Sequence, residues 1–324
     1  MPRPHLRITL AVMLAGALLL SGCSTPAEQN AEPAEPAAPA VKDGPEVKVA
    51  SLLDSEGVVL GSMVIQMLES NGIKTVDKTK FGTPDVVRKA LLAGDVDASI
   101  DYTGSGQYYV GPEGDPMWSD AAKGYEQIKA EDAKNGLAWL TPAPANNSEY
   151  LAVKKEFAEA NSLVTMEDFA KLVNDGGEVK LIGDQSWMDN ASGLKAYEKA
   201  YGFELGDAQK IGLSNGVTTQ FIDGVVKGTD GANVAEVYAT DGGLAEMGLV
   251  VLSDSKNVPP VYAPAPVFRA EILSAYPEIE SILAPVFESL TMEKLQELNR
   301  EVAFGGKAGK DVATEYLTAN GFLQ

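Results

Sequence analysis

Residues 47–53, VKVASLL, form an almost unbroken apolar run of strand length, the pattern of a strand buried on both faces. Asp54-Ser55-Glu56-Gly57 interrupts the run, and the spacing that follows predicts a helix to about Ser70. Val59, Met63 and Met67 fall on one stripe with Leu60, Val64 and Leu68 beside it, as a core-facing helix requires. Asn71-Gly72 stops it. A second helix over 84–93 ends at Gly94 and leads into the strand VDASID. Strand and helix alternate through most of the chain, which predicts an α/β fold with largely parallel sheets.

One pattern occurs twice. GTPDVVRKALLAGDVDASIDYTGSG (82–106) aligns with GVTTQFIDGVVKGTDGANVAEVYATDG (216–242) if two extra residues are allowed in the second. Each is a helix ending in glycine, a strand ending in tyrosine, then a turn of small residues. Open α/β sheets bind ligands at the carboxyl ends of their strands. Tyr102 and Tyr238 are therefore expected to approach one ligand from opposite sides. Two Pro/Ala segments, LTPAPANNSEYLAV (140–153) and NVPPVYAPAPVFR (257–269), read as crossings between lobes. They predict a first lobe of 46–147 plus 258–324 and a second lobe of 148–257. The last 55 residues show helical spacing and are expected to wrap the first lobe.

The N-terminus sets the compartment. Arg3 and Arg7 precede an apolar run from Ile8 to Leu20 that closes on Leu20-Ser21-Gly22-Cys23. A basic flank, a short hydrophobic stretch and small residues before a cysteine predict a lipoprotein signal over 1–22, with acyl chains on Cys23. Residues 24–45 hold no large apolar side chain beyond Val41 and read as an extended tether from the lipidated cysteine. The protein is thus expected outside the cytoplasm, held to a membrane only by its lipid. The removed segment carries two arginines and no acid, so the formal charge of −20 becomes −22. That acidity argues against nucleic acid and anionic lipid as partners.

The inventory also removes chemistry. His5 is the only histidine and Cys23 the only cysteine, so the folded part has neither. Ser-His-Asp and Cys-His nucleophiles cannot be assembled, nor a zinc or copper site of the usual kind. No cofactor or metal is expected, and an enzyme would have to rely on carboxylates, lysine or tyrosine.

DSEGVVLGSMVIQMLESNG, VVRKALLAGDVDASIDYTGSG, WLTPAPANNSEYLAV, YEKAYGF, VYATDG and VYAPAPVFR, in that order, resemble the substrate-binding proteins of ABC importers for glycine betaine, choline and related osmoprotectants. The likeness is to the OpuAC-like family, nearest its OsmF/YehZ-type branch, and it covers the chain after the tether. It implies a two-lobed periplasmic-binding-protein fold (type II, Venus-flytrap) with two hinge crossings. It further implies a monomeric receptor, not an enzyme, that closes on a small cationic or zwitterionic ligand and delivers it to an ABC permease. A trimethylammonium group has no N–H to donate, and ring faces attract it at about 2 kcal/mol or more when desolvated. Tyr102 and Tyr238 match the family's tyrosines at the two strand ends, and Trp187 matches an aromatic at a strand-to-helix turn. Thr103, Asn147, Glu149, Tyr150 and Asn190 fall in the matching turns, with Asp54 at the start of the first helix.

Three departures bear on the ligand. Relatives often end the first strand Gly-Ser-Lys where this chain has Ala50-Ser51-Leu52, and carry an arginine in the turn matching Ser186–Ser192, where it has Asn190 and no base. The Asn-Asn-Thr motif is commonly followed by an aromatic; here Asn146-Asn147-Ser148 is followed by Glu149, with Tyr150 one place later. A carboxylate without charged partners or donors is costly to bury. These changes point to a cation with no required carboxylate, such as choline, unless backbone N–H groups near Asp54–Gly57 replace the lost bases. A basic amino acid is the alternative ligand. A carboxylate-based hydrolase and a ligand-free envelope scaffold or sensor are the alternatives from other classes.

Overall fold

The computed structural model describes residues 40–214 and 217–323. The signal run, Cys23 and the tether up to residue 39 lie outside the described residues. The strands form two five-stranded sheets. The first has the order β2-β1-β3-β10-β4, from β1 (Val47–Leu52), β2 (Thr75–Gly82), β3 (Ala98–Tyr102), β4 (Leu137–Trp139) and β10 (Pro264–Arg269). The second has the order β7-β6-β8-β5-β9, from β5 (Glu149–Lys154), β6 (Leu181–Asp184), β7 (Lys210–Leu213), β8 (Val234–Tyr238) and β9 (Leu249–Val251). The same order of chain positions builds both sheets, and β3 and β8, the two strands ending in tyrosine, occupy the same central place.

Each sheet is less parallel than the alternation predicts. Four strands share one direction in each, but β10 runs antiparallel to its neighbours β3 and β4, and β5 antiparallel to β8 and β9. The reason is where the chain enters. β5 and β10 are the first strands after the two Pro/Ala segments, so they start at the edge where β8 and β3 finish. Pro264 pairs with Tyr102, and Glu149 pairs with Tyr238.

Helices cover both faces of each sheet, as buried parallel strands require. The helix Ser55–Ser70 buries both expected stripes against β1 and β3. The helices Ile279–Glu288, Met292–Ala303 and Gly309–Ala319 join that core, so the C-terminal region packs on the first sheet. Across this sheet, Ala50, Leu52, Val87 and Trp118 form a separate cluster. The helices ahead of β3 and β8 both stop at a left-handed glycine, Gly94 (φ 80°) and Gly228 (φ 67°), a conformation that glycine adopts without a Cβ penalty. The expected tether ends earlier than residue 45. The Lys42 amide donates to Gly72 O at 2.8 Å, Tyr276 Oη donates to Pro45 O at 3.0 Å, and the Lys42 ammonium pairs with Glu278.

Candidate ligand cavity

A cavity of about 830 Å³ opens between the carboxyl ends of the parallel strands of the two sheets. From the first lobe come Asp54 and Glu56 at the start of the first helix, Tyr102 at the end of β3, and Asn299 from the helix Met292–Ala303. From the second come Glu149, Asp184, Trp187, Glu236 and Tyr238. Tyr102 and Tyr238, read as equivalent from the repeated pattern, line this one space.

Seven of the nine residues singled out as ligand-facing lie in the lining: Asp54, Tyr102, Asn147, Glu149, Trp187, Asn190 and Tyr238. Tyr150 and Thr103 do not. Side chains alternate across a strand, so when Glu149 faces the cavity Tyr150 turns to the opposite face, against the cluster around Phe221 and Val237. Thr103 is buried in the turn, where its Oγ1 donates to Val261 O at 2.8 Å and accepts from the Ala263 amide at 3.1 Å. It ties the turn to the returning crossing.

The structure adds aromatic lining at Tyr108, Tyr109, Tyr262 and Phe304. Tyr108 and Tyr109 follow directly on the small-residue turn after β3. A short helix, Gly106–Tyr109, turns them toward the cleft, and nothing in their local pattern signals that. Tyr108 Oη accepts from Asn190 Nδ2 at 3.3 Å and lies 3.2 Å from Ser192 Oγ, joining the lobes across the cleft. One face of Tyr109 is already occupied, because the Arg88 guanidinium lies 4.4 Å from its ring centroid. Arg88 is in turn held by Asp132 through bonds of 2.6 and 2.5 Å.

The charges in the cavity are of one sign. Among the described residues seven carboxyl residues line it and no lysine or arginine does. Leu52, at the position where relatives often carry lysine, is part of the lining. One of the backbone amides that could have replaced that lysine is taken: Asp54 caps the first helix, accepting from the Gly57 amide at 2.7 Å. Glu56 accepts from Tyr102 Oη at 2.8 Å and from Asn299 Nδ2 at 2.7 Å, and the same Asn299 Nδ2 donates to Thr240 O at 2.9 Å. Thr240 Oγ1 donates to Asn147 Oδ1 at 2.6 Å. Burial raises the Glu56 carboxyl to about 7 despite these donors, with Asp54 adding to the rise. Burial likewise lifts Glu149 to about 7, helped by Asp184, and Glu236 to about 9, helped by Glu149.

Carboxyls, two of them buried, and ring faces suit a bound cation. Among the described residues no cluster of histidine, cysteine and acids could hold a metal ion, and no helix is long and apolar enough to cross a membrane.

Comparison with known proteins agrees with this geometry. Residues 45–319 match the family model described as the substrate-binding domain of an ABC-type glycine betaine transport system. The chain is 43% identical to the glycine betaine-binding protein YehZ of Escherichia coli K12 over 279 residues, 86% of this chain and 92% of that protein. It is 26% identical to the carnitine transport binding protein OpuCC of Listeria monocytogenes over 330 residues, 100% of this chain and 99% of that one. The solved structure of apo YehZ from E. coli superposes with a TM-score of 0.71, covering 86% of this chain and all of the other. These relatives are transport binding proteins rather than enzymes, which leaves no place for the hydrolase alternative. With its two-lobed α/β fold, the chain belongs to the family of substrate-binding domains of ABC-type glycine betaine transport systems.

Proposed function

We propose that this protein is a lipid-anchored, extracytoplasmic receptor that captures a quaternary ammonium cation lacking a carboxylate, such as choline, and hands it to an ABC permease. The observation that carries the ligand class is the lining: among the described residues, aromatic rings from both lobes, seven carboxyl residues, and no basic side chain. A trimethylammonium head gains cation–π attraction from desolvated rings at about 2 kcal/mol or more. A ligand carboxylate would meet like charges and would find the Gly57 amide at the first helix already bonded to Asp54. The named ligands of the relatives, glycine betaine and carnitine, carry the same ammonium head and favour a betaine as the second reading.

In this reading Cys23 carries the acyl anchor and the Ala/Pro/Glu-rich segment up to residue 39 gives the receptor its reach. The lobes are 46–147 plus 258–324, and 148–257. They close about the two Pro/Ala crossings, as hinged receptors do.

A thermal-shift panel of choline, glycine betaine, carnitine and arginine, followed by calorimetry, tests the ligand. Choline is expected to raise the melting temperature, and a ligand at 100 times its Kd adds about 2.7 kcal/mol. Tight binding of glycine betaine with none of choline would reject the cation-only reading in favour of the betaine one.

A further inference from the structure

The cavity carboxyls are not alike in their partners. Asp54 caps the first helix, and Asp184 caps the helix Gln185–Asp189, accepting from the Ser186 amide at 2.8 Å. Asp241 accepts from the Tyr238 amide at 2.8 Å and from Thr218 Oγ1 at 2.9 Å. Glu56 has its two donors, and Asp85 stands exposed at the rim near Lys89. Glu149 differs from them all. Among the described residues its carboxylate accepts no hydrogen bond and meets no base. The groups that face it are Glu236 and Tyr238 from β8, Asp184 from the end of β6, Tyr197 from the helix Leu194–Tyr201, and Tyr262 from the returning crossing. None carries positive charge. Its neighbour Glu236 is 2% exposed and accepts one bond, from the Asp184 amide at 2.6 Å. A second unmet acceptor lies in the opposite wall: Asn299, 7% exposed, spends Nδ2 on Glu56 and Thr240 and leaves Oδ1 without a donor.

A half-buried carboxylate with neither donor nor base, set beside a second carboxyl, is disfavoured as an anion and is relieved by a proton or a cation. We propose that Glu149 is the counter-ion of the bound cation and that the Glu149–Glu236 pair gives up a proton when the cation enters, so that capture is proton-coupled. This rests on the cation reading above and adds the residue that selects for charge and the exchange that accompanies binding. The balance is simple: the protonated pair and the free cation become the cation-bound pair and a proton passed to the buffer. Burial raises both carboxyls, Glu149 to about 7 and Glu236 to about 9, so the pair still holds a proton near neutral pH. As pH falls through 7 the proton competes better, and affinity declines.

Calorimetry with tetramethylammonium and with choline, at pH 6 and pH 8.5 and in two buffers of different ionisation enthalpy, tests this in the full chain. Wild type is expected to bind about 10-fold more weakly at pH 6 than at pH 8.5 and to release protons on binding. Glu149→Gln is expected to bind at least about 10-fold more weakly than wild type at pH 8.5, with little dependence on pH. Equal affinity of variant and wild type, or a flat pH profile in wild type, overturns the assignment. Failure of the cation reading looks different, since neither ion would then bind wild type at either pH. A ligand-free measurement still decides the role of Glu149. Unliganded Glu149→Gln should be more stable than wild type at pH 8.5 with the gap closing at pH 6, and coincident unfolding curves at pH 8.5 overturn the assignment.

Discussion

Glu149 and Tyr238 face one another in register on the antiparallel strands β5 and β8, and both side chains line the cavity. Cross-strand partners on one face are near neighbours, so a ring and a carboxylate form one wall patch. Burial, together with the Glu149 charge, holds the Tyr238 hydroxyl well above the usual phenol range, so the ring stays neutral.

Removing the Tyr238 ring is expected to weaken choline binding roughly 30-fold, the equivalent of about 2 kcal/mol from one desolvated ring. Tyr238→Phe keeps the ring face and should stay within a few-fold of wild type. Calorimetry on the two variants checks this, and an alanine variant that binds normally would mean the ring does not contact the ligand.

The unliganded protein is expected to lose stability as pH rises from 6 to 9. Glu56 and Glu236 titrate at about 7 and about 9 in the folded state against 4.5 as the reference. Their favourable contribution is therefore complete below about 4.5 and disappears as pH rises through 7 and then 9. For Glu56 the full change between pH 4.5 and 7 is on the order of 3 kcal/mol, of which about 1 kcal/mol falls above pH 6. Urea midpoints across this range should fall, and a flat or rising profile would show these carboxyls ionising normally.

Arg88→Met leaves Asp132 in the first-lobe core without its charged partner, with only Trp139 Nε1 and Asn135 Nδ2 still donating among the described residues. Breaking a buried pair from one side costs about 3–5 kcal/mol. Denaturation should report a loss of that size, and Arg88→Met combined with Asp132→Leu should recover part of it.

Asn299→Ala removes the side chain that joins Glu56 to Thr240 across the cleft. Each bond is worth about 1 kcal/mol, more where the acceptor is charged. Ligand dissociation is expected to accelerate roughly 10-fold with association little altered. Stopped-flow fluorescence from Trp187, which lines the cavity, can measure both rates. An unchanged dissociation rate would remove Asn299 from the closing contacts.

Cys23→Ser is expected to move the protein from the detergent phase to the aqueous phase of a Triton X-114 partition when it is made in a bacterium that processes lipoproteins. Retention of the variant in the detergent phase would refute an anchor at that cysteine.

Much of the local structure was legible because it is written at short range. The stripes of Val59, Met63 and Met67, the stops at Gly94 and Gly228, and the two strands closing on Tyr102 and Tyr238 depend on periodicity and on residues a few places apart. The missing bases at Leu52 and around Asn190 could likewise be read directly, because an absent charge needs no coordinates. Composition alone excluded histidine and cysteine chemistry from the folded part.

What the tertiary structure decided is everything that depends on which way a side chain leaves its strand and on what meets it from far along the chain. It turned Tyr150 away and Glu149 inward, since strand register permits only one of two neighbours on a face. It brought Tyr108 to Asn190, 82 positions distant, and Asn299 to Glu56, 243 positions distant. Among the described residues it also left Glu149 without a donor while Asp54, Glu56, Asp184, Glu236 and Asp241 found theirs. The sequence by itself carries charge and periodicity. Burial, pairing and the resulting proton affinity arise only when the two lobes fold around a common space and exclude water from it.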